Sequence, residues 1–94
     1  MMIDKLKVKD ANSTLMFGFD WSNWLNKNGE IITEFTLSTP PDGLIITNEG
    51  INGGLITFLA SGGVFGKVYP VVCQIKTSAG QIDERTMLIR IEDF

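Results

Sequence analysis

The sequence predicts an all-β domain, an immunoglobulin-like sandwich of about seven antiparallel strands with one short helical turn. Three observations carry this. Apolar residues recur at every second position in one stretch after another, Gly/Asn/Asp/Pro clusters interrupt those stretches at roughly regular spacing, and no helical period runs beyond a single turn.

The first segment, residues 3–9, alternates Ile3, Lys5, Lys7 and Lys9 with Asp4, Leu6 and Val8. It reads as an edge strand whose lysines discourage pairing with another chain. Thr14 to Asp20 is the second strand, with Leu15, Phe17 and Phe19 in alternation. The period then changes in "FGFDWSNWL": Trp21 and Trp24 stand three apart, the spacing of a turn or helix. A strand therefore runs into a tight turn, where Asp20 is placed to accept from the amides of Ser22 or Asn23. "KNGE" marks the bend that follows.

Glu30 to Ser38 alternates cleanly and places Ile31, Thr33, Phe35 and Leu37 on one face. "TPPDG" stops that strand, because consecutive prolines have no N–H for a ladder. A short strand, "LIIT" (44–47), precedes the loop-rich "NEGINGG", which reads as a turn. Then come "LITFLA", the glycine-rich "SGGVFG" and "KVYPVVCQIKTS", in which Tyr69, Val71, Cys73 and Ile75 share a face. Pro70 removes a ladder donor and belongs at an edge, a bulge or the strand's beginning. "AGQ" closes a hairpin onto "IDERTMLIRI", with Met87, Ile89 and Ile91 on one face and Leu88, Arg90 and Glu92 on the other.

Residues 1–94 read as a single domain. A chain of this length hides only about two-thirds of the surface that it exposes when unfolded, so most large apolar side chains are needed for one core. Hydrophobic residues make up 44%, which removes the chain from the disordered class. Eight Lys and Arg against eleven Asp and Glu give a net charge of -3 with the basic residues scattered, so nucleic acid is not expected as a partner. Cys73 is the only cysteine, and its apolar surroundings make it a buried hydrophobe with no intrachain disulfide to form. Without histidine, His-dependent triads and the usual zinc and copper sites are excluded, and neither catalytic residues nor cofactors are expected. No apolar stretch approaches the roughly 20 residues of a membrane span, and the N-terminus has no signal-like apolar core, so the expectation is a product made in a cytoplasm with no membrane partner.

Three motifs invite chemical readings. Trp21 and Trp24 are able to present ring faces to a sugar or a protein partner, or to fold over the end of the sandwich as a core plug, which the inward phase of Trp21 favours. Asp83, Glu84 and Arg85 suggest acid–base work, but adjacent strand residues face opposite sides, so a solvated face or a cross-strand ion pair is expected. "SGGVFG" has neither dinucleotide nor Walker spacing, and its glycines are expected to supply positive φ between adjacent strands.

"FDWSNWL" (19–25), "SGGVFGKVYPVVCQIKTSAG" (61–80) and "DERTMLIRI" (83–91) resemble, in order and spacing, a family of small tailed-bacteriophage structural proteins described as fibre–tail adaptor-like. Members carry F-D-W-S-x-W-L, then S-G-G-x-x-G-x-x-Y-x-V-x-C and T-x-A-G-x-x-D-E-R-T. The matching positions are Asp20, Trp21, Trp24, Gly62, Gly63, Gly66, Tyr69, Asp83, Glu84 and Arg85, and they mark fold, not chemistry. The chain departs from the pattern at "FLASGG", where the family often has a Trp two residues before S-G-G, and through residues 40–54.

The resemblance implies a non-enzymatic virion component, made in the host bacterial cytoplasm. By the same resemblance it is expected to dock other phage proteins of the tail, neck, fibre or capsid, as part of a symmetric multimer in the assembled particle. A capsid decoration protein and a glycan- or cell-wall-binding module are the alternatives. Val68, Pro70 and Val72, apolar but out of phase with the core, are the candidate docking face.

Overall fold

Alternation resolves into seven strands and one helix in the computed structural model, which describes residues 3–92. The strands are β1 (Ile3–Asp10), β2 (Thr14–Asp20), β3 (Ile32–Ser38), β4 (Leu44–Asn52), β5 (Leu55–Gly62), β6 (Val68–Thr77) and β7 (Ile82–Glu92), with α1 (Ser22–Asn28) between β2 and β3. They form two sheets, ordered β1-β7-β6-β3 and β2-β5-β4. This is the immunoglobulin arrangement, with the second, fifth and fourth strands packed against the third, sixth and seventh. The expectation of purely antiparallel pairing needs one correction. β1 runs parallel to β7, whereas the four other strand pairs are antiparallel.

Inward side chains from both sheets make the core. Phe19, Ile56, Phe58 and Ala60 come from one sheet; Tyr69, Val71, Cys73, Ile75, Met87, Ile89 and Ile91 come from the other, and all are buried. Cys73 is a free thiol in the middle of this layer. Burying these side chains is the main favourable term holding the fold, at roughly 1.5–3 kcal/mol for each large one.

Where alternation misleads, a bulge or an unforeseen partner is the cause. In β3 the register shifts between Ile32 and Glu34, so Ile32 and not Ile31 joins Phe35 and Leu37 against the core. Ile31 is left 67% exposed, just outside the strand. β4 does not stop at Thr47 but continues to Asn52, across a shift between Thr47 and Gly50 where Asn48 has φ 52. Asn tolerates this left-handed conformation, and the loop-like composition of "NEGIN" is that of a bulged strand. The turn itself is only Gly53 and Gly54.

Similarly, the helical turn is a seven-residue helix, closed by Gly29 at φ 65 with its N–H on the Leu25 carbonyl. The glycine-rich run does not join neighbours within a sheet; it carries the chain from β5 in one sheet to β6 in the other. Pro70 is the third residue of β6, and the β3 ladder reaches back only to Val72, so on that side no donor is needed. The Pro70 carbonyl accepts instead from Thr39 Oγ1 at 2.8 Å.

Candidate functional site

The residues singled out in the sequence gather at the two ends of the sandwich. At the helix end, Asp20 Oδ1 accepts from the Ser22 amide at 2.9 Å and the Ser22 hydroxyl at 2.6 Å, which turns the chain out of β2 into α1. Trp21 donates its amide to the Gly54 carbonyl at 2.8 Å and accepts from the Leu25 amide at 2.9 Å. A Cβ at Gly54 would stand 2.8 Å from the Ser22 nitrogen, so only glycine lets α1 seat this closely on the β4–β5 hairpin.

The Trp21 ring is fully buried, while Trp24 is half-buried and meets it edge-on with centroids 6.0 Å apart. Arg85 completes the cover. Its guanidinium lies 4.2 Å from the Trp21 ring centroid, and Nη1 donates to the Asp20 carbonyl at 3.0 Å. This overturns the reading of Arg85 as part of a solvated face or an ion pair: the inner face of β7 aims it at the mouth of the core. Among the described residues Trp21 Nε1–H finds no hydrogen bond of ordinary geometry. Its polar neighbour is Cys73, whose thiol burial pushes up to about 11, with the indole and Arg85 pulling weakly back.

Asp83 and Glu84 do not converge on a common point. Asp83 is exposed and its carboxylate accepts from the Glu84 amide at 2.8 Å, whereas Glu84 is half-buried. A groove of about 370 Å3 beside α1 is lined by Leu25, Ile31, Ile51 and a single carboxylate, Glu30. That carboxylate is engaged by the Thr77 hydroxyl and by Gln81 Nε2, closing the β6–β7 hairpin. Among the described residues no three side chains able to bind a metal cluster, and no helix is long and apolar enough to cross a membrane.

Hydrogen bonds close the opposite end. Gly62 and Gly63 have φ 73 and 100; a Cβ on the first would meet the Gly43 carbonyl at 2.8 Å and one on the second the Ile91 side chain at 2.6 Å. The Tyr69 hydroxyl, buried at the start of β6, donates to the Asp42 carbonyl at 2.6 Å and accepts from the Val64 amide at 2.9 Å. This ties two loops to the sixth strand as a tyrosine corner does. Lys9 is fully buried, its ammonium donating to the Asp10 and Gly62 carbonyls at 2.7 Å each. Burial lowers its pKa, against a smaller pull upward from Asp10. The lysine read as an edge guard thus spans the gap between the sheets.

The same network fixes residues 63–67. Gly66 donates to the Ile91 carbonyl at 3.0 Å, Ile91 to the Lys67 carbonyl at 2.9 Å, and Lys67 to the Val64 carbonyl at 3.0 Å. An exposed ion pair joins Lys67 and Asp42. At the tip Val64 and Phe65 face solvent, Phe65 being 66% exposed.

From this tip an apolar strip runs along the outer face of β6. Val68 is 46% exposed, Pro70 and Val72 half-buried. Register places Pro70 beside Leu88 and Leu88 beside Leu6, with Val68 and Val8 flanking Arg90. Phe65 was missed by sequence reasoning because glycines surround it; an apolar pair held between turn glycines is the signal that marks it.

No curated protein matches this chain. Residues 9–90 match the family model described as podophage GP4 fiber-tail adaptor protein gp77, and the chain belongs to that family.

Proposed function

We propose that the chain is a non-enzymatic structural protein of a tailed-phage virion, an adaptor that docks other tail or fibre proteins through the Phe65 loop and the outer face of β6. The observation that carries this is Phe65. A large aromatic held in water by a loop that four backbone hydrogen bonds and a buried tyrosine keep in place is suited to act as an anchor, because little ordering is left for a partner to impose. Exposed Val68 and half-buried Pro70 and Val72 carry apolar side chains from it along the outer face of β6, where Arg90 stands beside Val68. The glycan-binding alternative wants exposed ring faces at the tryptophan turn, whereas Trp21 is buried and Trp24 is covered in part.

An adaptor around a tail axis meets a symmetric ring, so a copy number on the order of a dozen per particle is expected. The ring presents many sites at once and raises the effective concentration of each contact. The test is particle assembly with Phe65→Ala. The variant is expected to melt with the parent, since an exposed side chain costs at most about 0.5 kcal/mol, yet to enter particles at least roughly thirtyfold less efficiently, as loss of a 2 kcal/mol anchor does. Incorporation at the parent's copy number would overturn the docking assignment. A parental copy number near one per major capsid subunit would replace the adaptor with a decoration protein.

A further inference from the structure

Four strands lie at sheet edges, and three of them are guarded. An edge strand offers a row of free N–H and C=O groups to any passing strand, and proteins blunt it with lysine, proline, a bulge or an inward charge. β1 has a register shift between Ile3 and Lys5 and turns Lys9 inward. β3 is bulged between Ile32 and Glu34 and runs into Pro40 and Pro41. β4 is bulged at Asn48 and Glu49, with Asn48 at φ 52.

β2 has none of these devices from Thr14 to Phe19, and only the Asp20 carbonyl at its end is covered, by Arg85 Nη1 at 3.0 Å. Among the described residues it pairs with β5 alone, in unbroken register from Thr14↔Ser61 to Asp20↔Leu55. Its seven residues, "TLMFGFD", contain no lysine, arginine or proline, and the one charge, Asp20, is its last residue. Met16 stands 67% exposed on its outer side.

We propose that the edge of β2 pairs with β2 of a second copy, antiparallel about a twofold axis through Phe17, so that two three-stranded sheets merge into one of six. The strand's own sequence selects this register. Centring on Phe17 is the pairing that uses all seven residues. It sets Leu15, on the core-facing side but 41% exposed at its rim, opposite the buried Phe19, and Met16 opposite Gly18, both outward, so the core faces of the two copies stay on one side. Met16 then lies beside a residue without a side chain. Asp20 falls opposite Thr14, whereas parallel pairing would set Asp20 against Asp20, a like-charge contact that costs stability. An interface related by a twofold must be self-complementary, and β2 meets that condition residue by residue.

A seven-residue edge buries less than the roughly 1,200 Å2 of a stable interface, so the free dimer is weak, with Kd on the order of 100 µM. It matters where a ring crowds the copies together. The contact uses none of the residues of the docking face, so the two assignments stand or fall separately.

Sedimentation equilibrium of the full chain, up to on the order of 1 mM, reads the affinity. Met16→Lys sets a charge on the exposed side of the edge and is expected to weaken the dimer more than about tenfold. Register is read by cross-linking. Met16→Cys places two thiols on a diagonal pair, about 8 Å apart, within reach of a short bis-maleimide, while buried Cys73 stays unreacted. A covalent dimer is expected from Met16→Cys and none from Ile45→Cys, on the exposed side of the other edge of that sheet. A chain that stays monomeric at 1 mM, a dimer indifferent to Met16→Lys, or equal cross-linking from Ile45→Cys would each overturn the pairing.

Discussion

The two ends of this sandwich are closed by opposite means. At the helix end closure is by volume: the Trp21 ring fills the mouth, Trp24 and Leu25 lie against it, and the Arg85 guanidinium covers the outer side. At the glycine end no ring among the described residues plays that part. The Tyr69 hydroxyl, the Lys9 ammonium and the amides of Gly63 and Gly66 satisfy the carbonyls of Asp42, Asp10, Gly62, Gly43 and Ile91. The difference teaches which end is free to work. A plugged end has spent its aromatics on the core, whereas an end closed by directional bonds holds a loop in one shape and keeps its apolar residues, Val64 and Phe65, on the outside.

The hardest way to break the comparison is to empty the plug. Trp21→Ala removes a fully buried indole and the face on which Arg85 rests, and is expected to cost about 3–5 kcal/mol, a large share of the 5–15 kcal/mol typical of a domain. Trp24→Ala, at a half-buried site, should cost less. Urea denaturation of both variants measures the order, and equal losses would mean that the two rings share the plug evenly.

A second contrast is read with pH, because each closure includes a buried ionisable group. Burial holds the Cys73 thiol at about 11 against its ordinary 9.0. Between those values the unfolded chain gives up its proton and the folded chain does not, so stability falls as pH rises, by about 2–3 kcal/mol over the full range. Lys9 acts in the other sense. Its pKa is lowered, so as pH climbs through the folded value toward 10.5 the folded chain loses its proton first, and stability rises. Denaturant melts from pH 8 to 10.5 separate the two: Cys73→Ala should abolish the fall, and Lys9→Met should steepen it. A Cys73→Ala profile that still falls as the parent's does would remove the thiol from this account.

Sequence legibility follows the same division. The plug was readable because strand period and ring size are properties of single residues: the alternation Leu15, Phe17, Phe19 points Trp21 inward with no knowledge of its neighbours. The polar closure was not. Lys9 takes its meaning from the Gly62 carbonyl, 53 residues away in sequence, and even at the plugged end Arg85 takes its own from the Trp21 ring in the turn before α1. The bulges of β3 and β4 were hidden for a related reason, since a bulge is an extra residue relative to a partner strand, and one strand read alone has no partner. The glycines were legible as positive-φ positions, but not their crowding by Gly43 and Ile91.

That crowding separates glycines that look alike in sequence. Gly63→Ala suffers both a left-handed backbone and a Cβ that would stand 2.6 Å from Ile91, whereas at Gly66, φ 86, no described residue beyond its chain neighbours comes within 4 Å of the new Cβ. The first change is expected to cost more than about 2 kcal/mol and the second about 1 kcal/mol, from conformation alone. Thermal melts of the pair decide this, and equal losses would show that Ile91 simply moves aside.

The smallest change probes the bonds of the glycine end directly. Tyr69→Phe keeps the buried ring and removes only the oxygen that joins the Asp42 carbonyl to the Val64 amide. Both groups lie near the surface, where water replaces part of what is lost, so the expected cost is about 1–2 kcal/mol. Stability is not the most telling readout. If the hydroxyl is what fixes the loop, hydrogen exchange at the Val64 amide should accelerate well beyond what the global loss of stability accounts for, while amides of α1 at the plugged end change only with the global loss. Docking through Phe65, one residue from that amide, should weaken by more than the loss of stability explains, because the anchor is no longer held in one shape. Unchanged protection at Val64 would mean that the loop is fixed by Gly66 and Ile91 alone, and that the tyrosine closes the core without positioning the anchor.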